Sequence, residues 1–244
     1  MFFNKDQNRE DPPRRINQED ATPLQVVGLT FKILYQRLNT WIYINFWFIV
    51  FSLGIITSAG ARAALVNTVI ATLRDPGNSR TNHLVEMKTS FKRYFWKSTL
   101  IAIIKWGSFI LIIFSLFFWI NQDEIFLNLV AVLSVYALLE WCLITPYVLP
   151  IIVDNPECSV FFAFKEAFIL TSKHPFQSIF FFLVNLIILM IGVVLLGPIL
   201  LILPTMRTML SVHCYWYLAG KEIPGFIEIT DYVKKITENK ERNL

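Results

Sequence analysis

The fold is decided by residues 98–153, which read STLIAIIKWGSFILIIFSLFFWI, then NQDE, then IFLNLVAVLSVYALLEWCLITPYVLPIIV. Each of the two apolar blocks is longer than the roughly 20 residues that a helix needs to cross a bilayer. Neither block alternates apolar and polar residues, as the strands of a membrane barrel do. The stretch therefore predicts two membrane-spanning helices joined by a short polar turn.

Similar apolar blocks occupy most of the remaining chain. They cover residues 41–58, 59–73 and 177–203, and the last block continues to about residue 218. The whole chain is 55% hydrophobic and only 16% charged, whereas soluble domains average about 25% charged residues. This composition predicts an all-α protein, a polytopic transmembrane helical bundle with the lipid bilayer as its solvent. It does not favour binding of nucleic acid.

Positive charge indicates how often the chain crosses. Nineteen of the 22 Lys and Arg residues fall in four polar stretches, which lie before residue 41, at 74–97, at 154–176 and after 218. Cytoplasmic flanks of membrane spans collect Lys and Arg. All four stretches share one side only if the short block 59–73 crosses and the last block divides near Gly197-Pro198. The charge pattern therefore predicts about six spans in three hairpins, with both termini cytoplasmic.

The chain divides into one membrane domain and two tails. Residues 1–24 are polar and lack the apolar core of a cleavable signal peptide, so we expect a disordered cytoplasmic tail there. Residues 25–218 are predicted to form a single transmembrane domain. Residues 219–244 are predicted to form a second cytoplasmic tail.

A short motif precedes each predicted hairpin on its cytoplasmic side. It is a Phe-Lys pair with an aromatic residue three positions after the Lys, and it begins at Phe31, Phe91 and Phe164. Aromatic residues four apart lie on one face of a helix, so each motif predicts a short amphipathic helix at the membrane surface. The three copies indicate either an internal hairpin repeat or coincidence in a chain rich in Phe.

Three ionisable side chains fall inside the apolar blocks, namely Lys105, Glu140 and Arg207. Charges there are costly enough to suggest a function. Lys105 and Glu140 lie equally far from the turn at 121–124, so a hairpin places them at one depth and predicts an ion pair. The alternatives are that Lys105 extends to the headgroups while Glu140 is protonated or in a wet crevice, or that they serve a proton or substrate. Arg207 either shares Glu140 or lies at the interface, and Arg62 is predicted to be external.

Prolines interrupt the backbone hydrogen bonding of two predicted spans. Pro146 and Pro150 lie in the fourth span and Pro204 in the last one. A proline inside a helix removes one hydrogen bond, and such breaks line substrate sites in some transporters. The same prolines are compatible with tolerated kinks. All three are candidate helix breaks.

The chain lacks the motifs of soluble enzymes. Its three histidines are scattered, and none has a second ligand at metal spacing. It has no Walker loop, no glycine-rich dinucleotide fingerprint and no nucleophile elbow. Three widely spaced cysteines do not suggest a disulfide framework. We therefore expect no enzyme activity, no cofactor and no metal.

Several segments resemble the YesL-like family of bacterial integral membrane proteins, a domain of unknown function. The segments are LGIIT at 53–57, the small residues of 59–65, SFKRYFWK at 90–97, PYVLP at 146–150 and AFKEAF at 163–168. The resemblance covers roughly residues 38–218. It implies a protein of the bacterial cytoplasmic (inner) membrane with an accessory role in carbohydrate uptake, and it supplies no catalytic residues.

Two functions are thus compatible with the sequence. The first is a non-enzymatic accessory or regulatory protein that contacts a sugar-transporter permease subunit through its helices. The second is a small secondary transporter or permease that uses Lys105, Glu140 and Arg207.

Overall fold

The computed structural model describes residues 22–54, 57–74, 83–121, 125–194 and 202–224. These residues form eight helices and no strand, which confirms the all-α class. The helices are α1 (Pro23–Gln36), α2 (Leu38–Phe51), α3 (Thr57–Arg74), α4 (His83–Ile120), α5 (Ile125–Asp154), α6 (Val160–Lys173), α7 (Pro175–Val194) and α8 (Leu203–Leu218). The predicted N-terminal tail before residue 22, the turn at Gly197-Pro198 and the C-terminal tail beyond residue 224 lie outside the described residues.

Three helices are long and apolar enough to cross a membrane. The candidate spans are His83–Ile120, Leu129–Asp154 and Pro175–Gly192. Large apolar side chains on all three are exposed, among them Phe114 on α4, Leu133 on α5 and Ile187 on α7. Apolar surface on this scale is unfavourable in water and marks a site of contact with lipid or protein. The chain therefore has the helices of a membrane protein.

Helices α4 and α5 pack side by side in opposite directions. The Ser115 and Ser134 hydroxyls lie 3.0 Å apart, and the Trp141 indole donates to the carbonyl oxygen of Lys105 over 3.3 Å. Residue numbers thus rise along α4 where they fall along α5. This is the arrangement expected of two helices joined by the short turn at 121–124.

Helix α3 lies inside the bundle, with twelve of its 18 residues buried. Many of them are small, and Gly60 lets the rings of Phe91 and Phe95 on α4 approach the α3 backbone closely. Small residues allow membrane helices to pack at short distances in this way. Because neighbouring helices cover α3, it needs little apolar surface of its own. This explains why the segment is only weakly apolar.

The three Phe-Lys motifs lie in α1, α4 and α6. Helices α1 and α6 are separate 14-residue helices, each followed almost directly by an apolar helix, as predicted. The prediction of a separate short helix before the second hairpin is wrong, because α4 continues unbroken over 38 residues. No Gly or Pro occurs between residues 83 and 106, so no helix breaker divides the polar part of α4 from the apolar part.

A buried carboxylate joins the ends of three helices, in a cluster that we call the Asp154 clasp. The side chain of Asp154 is only 4% exposed and forms ion pairs with Arg74 at the end of α3 and with Lys221 after α8. The Tyr215 hydroxyl donates to the same carboxylate over 3.2 Å. Partial burial lowers the pKa of Lys221, but its hydrogen bonds to Asp154 and Tyr215 outweigh this effect and leave the pKa above its usual value. The clasp holds α3, α5 and α8 together.

Two buried hydrogen bonds fix α8 against the first two helices. The Thr205 hydroxyl donates to the amide oxygen of Asn45 on α2 over 3.2 Å. The Thr30 hydroxyl of α1 lies 2.8 Å from Nδ1 of His213. Polar contacts of this kind between membrane helices are worth roughly 0.6–2 kcal/mol each. They set the rotation of α8 and hence the direction of its remaining polar side chains.

Candidate functional site

A cavity of about 640 Å³ lies between the helices that the structure describes. Its walls come from α3, α4, α5, α7 and α8, together with Phe48 of α2. A quarter of the lining residues are aromatic, including Trp106, Phe109, Trp141 and Phe181. A largely apolar cavity of this size with a few polar groups is typical of sites that bind small organic molecules.

Three basic side chains line this cavity: Arg62 of α3, Lys105 of α4 and Arg207 of α8. We call them the cavity cations. Lys105 lies within electrostatic range of both arginines, and the arginines lie within range of each other. Among the described lining residues there is no Asp or Glu. The uncharged polar groups on the wall include Thr145, Ser178, Asn185, Thr208 and Ser211.

The predicted ion pair between Lys105 and Glu140 does not form, so this prediction was wrong. The depth was right, because Trp141, the neighbour of Glu140, donates to the Lys105 carbonyl oxygen. The direction was wrong, because consecutive residues of a helix point about 100° apart. Trp141 faces α4, whereas Glu140 turns towards α6, where the Thr171 hydroxyl lies 3.4 Å from its Oε1. Glu140 does not belong to the cavity wall.

Arg207 has its partner on α7 rather than in Glu140. Its Nε donates to the amide oxygen of Asn185 over 2.7 Å. Of the two alternatives for Arg207, the one in which it shares Glu140 is therefore wrong. An amide oxygen orients the guanidinium group but carries no charge to neutralise it. Arg207 thus lines the cavity in a fixed direction, and among the described residues no carboxylate pairs with it.

All three candidate helix breaks lie on the cavity wall. Pro146 and Pro150 occur inside α5, which remains helical through both of them. Pro204 lies in the first turn of α8, where the missing N–H of proline would have no helical partner in any case. The structure therefore agrees with tolerated prolines rather than with an interrupted α5.

Two cavity residues were not found from the sequence, Arg62 and Asn185. The charge pattern places Arg62 on the outside because Arg62 is close to the predicted outer loop. The pattern contains no information about the direction of its side chain. The sequence does carry a signal for Asn185. Asn185 lies 12 residues before Gly197, and Arg207 lies ten residues after Gly197. A turn at Gly197-Pro198 would therefore bring Asn185 and Arg207 to similar depths.

The chain matches no family model, and no curated protein or solved structure matches it. The resemblance to the YesL-like family and the link to carbohydrate uptake therefore stay predictions. The function of the cavity has to be argued from its geometry and charge.

Proposed function

We propose that this protein is a multi-pass protein of the bacterial cytoplasmic membrane that binds a solute in the cavity, as a small transporter does. The cavity itself carries this proposal: charged and polar side chains converge inside a bundle whose outer surface is apolar. Ionisable side chains within membrane helices commonly face the bundle interior and mark substrate pathways. The residues that serve the solute are Arg62, Lys105, Arg207 and Asn185, and Glu140 is not among them.

The native Cys142 tests whether the cavity admits water-soluble molecules. Cys142 is half-buried on the cavity wall, whereas Cys158 lies outside it in the loop between α5 and α6. We expect a protein with Cys158→Ser and Cys214→Ser to react with a water-soluble maleimide at Cys142. Addition of Cys142→Ala should abolish the reaction, and Leu186→Trp, which fills the cavity, should slow it. A folded protein that does not react would contradict a solute-accessible cavity.

The six crossings and the cytoplasmic termini are proposed from the distribution of Lys and Arg. Helices α2, α3 and α8 are short, with 14, 18 and 16 residues. The crossing by α3 is tested here because the charge pattern depends on it. Leu53→Cys precedes α3 and Lys88→Cys follows it, and both positions are exposed. In a background without other cysteines, an impermeant maleimide on intact cells should label the first variant and not the second. Labelling of both would place them on one side and contradict a crossing by α3.

The second candidate is the accessory role in carbohydrate uptake, which the YesL-like resemblance supports. In this role the helices contact a sugar-transporter permease subunit. Purification in mild detergent distinguishes the two candidates. If a permease co-purifies in an amount equal to that of this protein, the accessory role is favoured. If the purified protein by itself moves a solute across liposome membranes, the transporter is favoured.

A further inference from the structure

No acidic side chain in the described part of the chain pairs with the cavity cations. In the part of the chain that the structure describes, the side chains of Arg62 and Lys105 form neither an ion pair nor a hydrogen bond. Two other cations of this protein, Arg74 and Lys221, are neutralised at the Asp154 clasp. The contrast indicates that the cavity charges do not serve to hold the helices together.

Three like charges within an apolar wall are unfavourable while the cavity is empty. Lys105 and Arg207 are partly buried and lose hydration there, whereas Arg62 is more exposed and adds chiefly its charge. The mutual repulsion of the three grows as the local dielectric constant falls. The same surroundings strengthen attraction to a negative charge. An anion placed among the three would offset both costs at once.

We infer that the cavity binds a ligand through an oxyanion, a phosphate or carboxylate group, and this inference rests on the proposed function. Because Asn185 engages only Nε of Arg207, the other guanidinium N–H groups remain to pair with two oxygens of the ligand, the geometry in which arginine binds oxyanions best. Lys105 adds a point charge. The cavity is larger than a single oxyanion, so an apolar or ring-shaped body of the ligand packs against Trp106 and Trp141.

Two thiol reagents of similar size and opposite charge measure the sign of the cavity. Methanethiosulfonates with a sulfonate or a trimethylammonium group both modify Cys142 in the Cys158→Ser, Cys214→Ser protein. Rates are divided by those with a free thiol in solution. Since a cationic cleft concentrates anions, we expect the sulfonate reagent to react on the order of tenfold faster.

Removal of one charge at a time tests each cavity cation. Arg62→Gln, Lys105→Gln and Arg207→Gln should each lower the ratio of the two rates by roughly twofold, because the three charges add to one potential at Cys142 and share the expected tenfold preference. Three separate variants keep the test valid if one of them does not fold. Lys88→Gln is the matched control, since it removes a positive charge from an exposed position outside the cavity, and it should leave the ratio unchanged.

Protection of Cys142 shows where the oxyanion comes from. Inorganic phosphate supplies it as a free ion and phosphatidylglycerol vesicles supply it as a lipid headgroup, with sodium chloride of equal ionic strength and phosphatidylcholine vesicles as controls. Slower modification with phosphate identifies a soluble anion, and slower modification with phosphatidylglycerol alone identifies a lipid. Equal rates for the two reagents without protection by either probe would overturn the anion inference but leave the cavity standing. No reaction with any reagent would overturn the proposed function itself.

Discussion

Replacement of Gly60 by alanine tests whether the close contact between α3 and α4 supports the bundle. The added methyl group would lie 2.8 Å from Cε2 of Phe91 and 2.9 Å from Cδ2 of Phe95. Carbon atoms pack at about 3.5 Å or more, so the rings or the helix must move by about 0.7 Å. Phe91 also stacks on Phe51 and contacts Phe95, with ring centroids 5.4 Å apart in both pairs. Both rings are half-buried, and a turn away from Gly60 would disrupt these ring contacts.

The expected magnitude follows from two opposing effects. Overpacking of a tight core costs about 1–3 kcal/mol. Alanine is favoured over glycine inside a helix by about 0.5–1 kcal/mol, which offsets part of the cost. We therefore expect Gly60→Ala to lose about 1–2 kcal/mol. In a chain of this size, each kcal/mol lowers the melting temperature by about 2–4 °C, so the melting temperature should fall by about 2–8 °C.

Thermal unfolding in detergent, followed by tryptophan fluorescence, measures this effect against two matched glycines. A methyl group at Gly28 meets nothing within 4 Å, so Gly28→Ala should gain about 0.5–1 kcal/mol. A methyl group at Gly192 would lie 2.6 and 2.8 Å from the two methyls of Leu203, which is itself buried, so Gly192→Ala should also lower the melting temperature. If Gly60→Ala melts at or above the wild-type temperature while Gly28→Ala behaves as expected, the close packing of α3 on α4 is refuted.

Three further substitutions address the polar contacts. Asp154→Asn removes the negative charge of the clasp and should lower the free energy of unfolding by about 1–2 kcal/mol. This is less than the cost of breaking a fully buried pair, because both cationic partners are partly exposed. The melting temperature measures the loss, and the exposed loop variant Glu157→Gln is the control that should not change it. Glu140→Gln should alter stability by less than about 0.5 kcal/mol and leave the reactivity of Lys105 with amine reagents unchanged, whereas a loss of several kcal/mol would restore the predicted ion pair. Asn185→Leu removes the acceptor of a partly buried guanidinium and should cost about 1.5–3 kcal/mol; an unchanged melting temperature would contradict its role.

The sequence predicted the helices well where lipid is their solvent. The apolar blocks at 98–120 and 125–153 match α4 and α5 because a helix facing hydrocarbon must be apolar over most of its length. The pattern was less informative for α3, whose neighbours replace lipid on most of its surface. It also failed at the start of α4, where a change from polar to apolar residues looked like a helix end but no backbone signal stops the helix.

Prediction of the cavity required the rotation of each helix as well as its depth. Counting residues from a turn placed Lys105 and Glu140 at the same depth, and the Trp141 contact agrees with that depth. The rotation of a helix is set by packing along its whole length. Glu140 is only one residue away from Trp141, but that is enough to point its side chain away from α4. Arg62 was missed for a related reason. Counting charges assigns the residues at the ends of a helix to one side of the membrane and does not show that the Arg62 side chain lines the cavity.

The unbroken α4 is about 57 Å long at 1.5 Å per residue, nearly twice the roughly 30 Å thickness of a hydrocarbon layer. Its basic first part and Lys105 in the cavity wall therefore belong to one rigid rod. Without a hinge between them, a tilt of the polar end also moves the middle of the helix, where Lys105 lies. A partner that binds residues 88–97 would thereby alter the distances between the cavity cations. The affinity for a ligand would change although the partner does not enter the cavity.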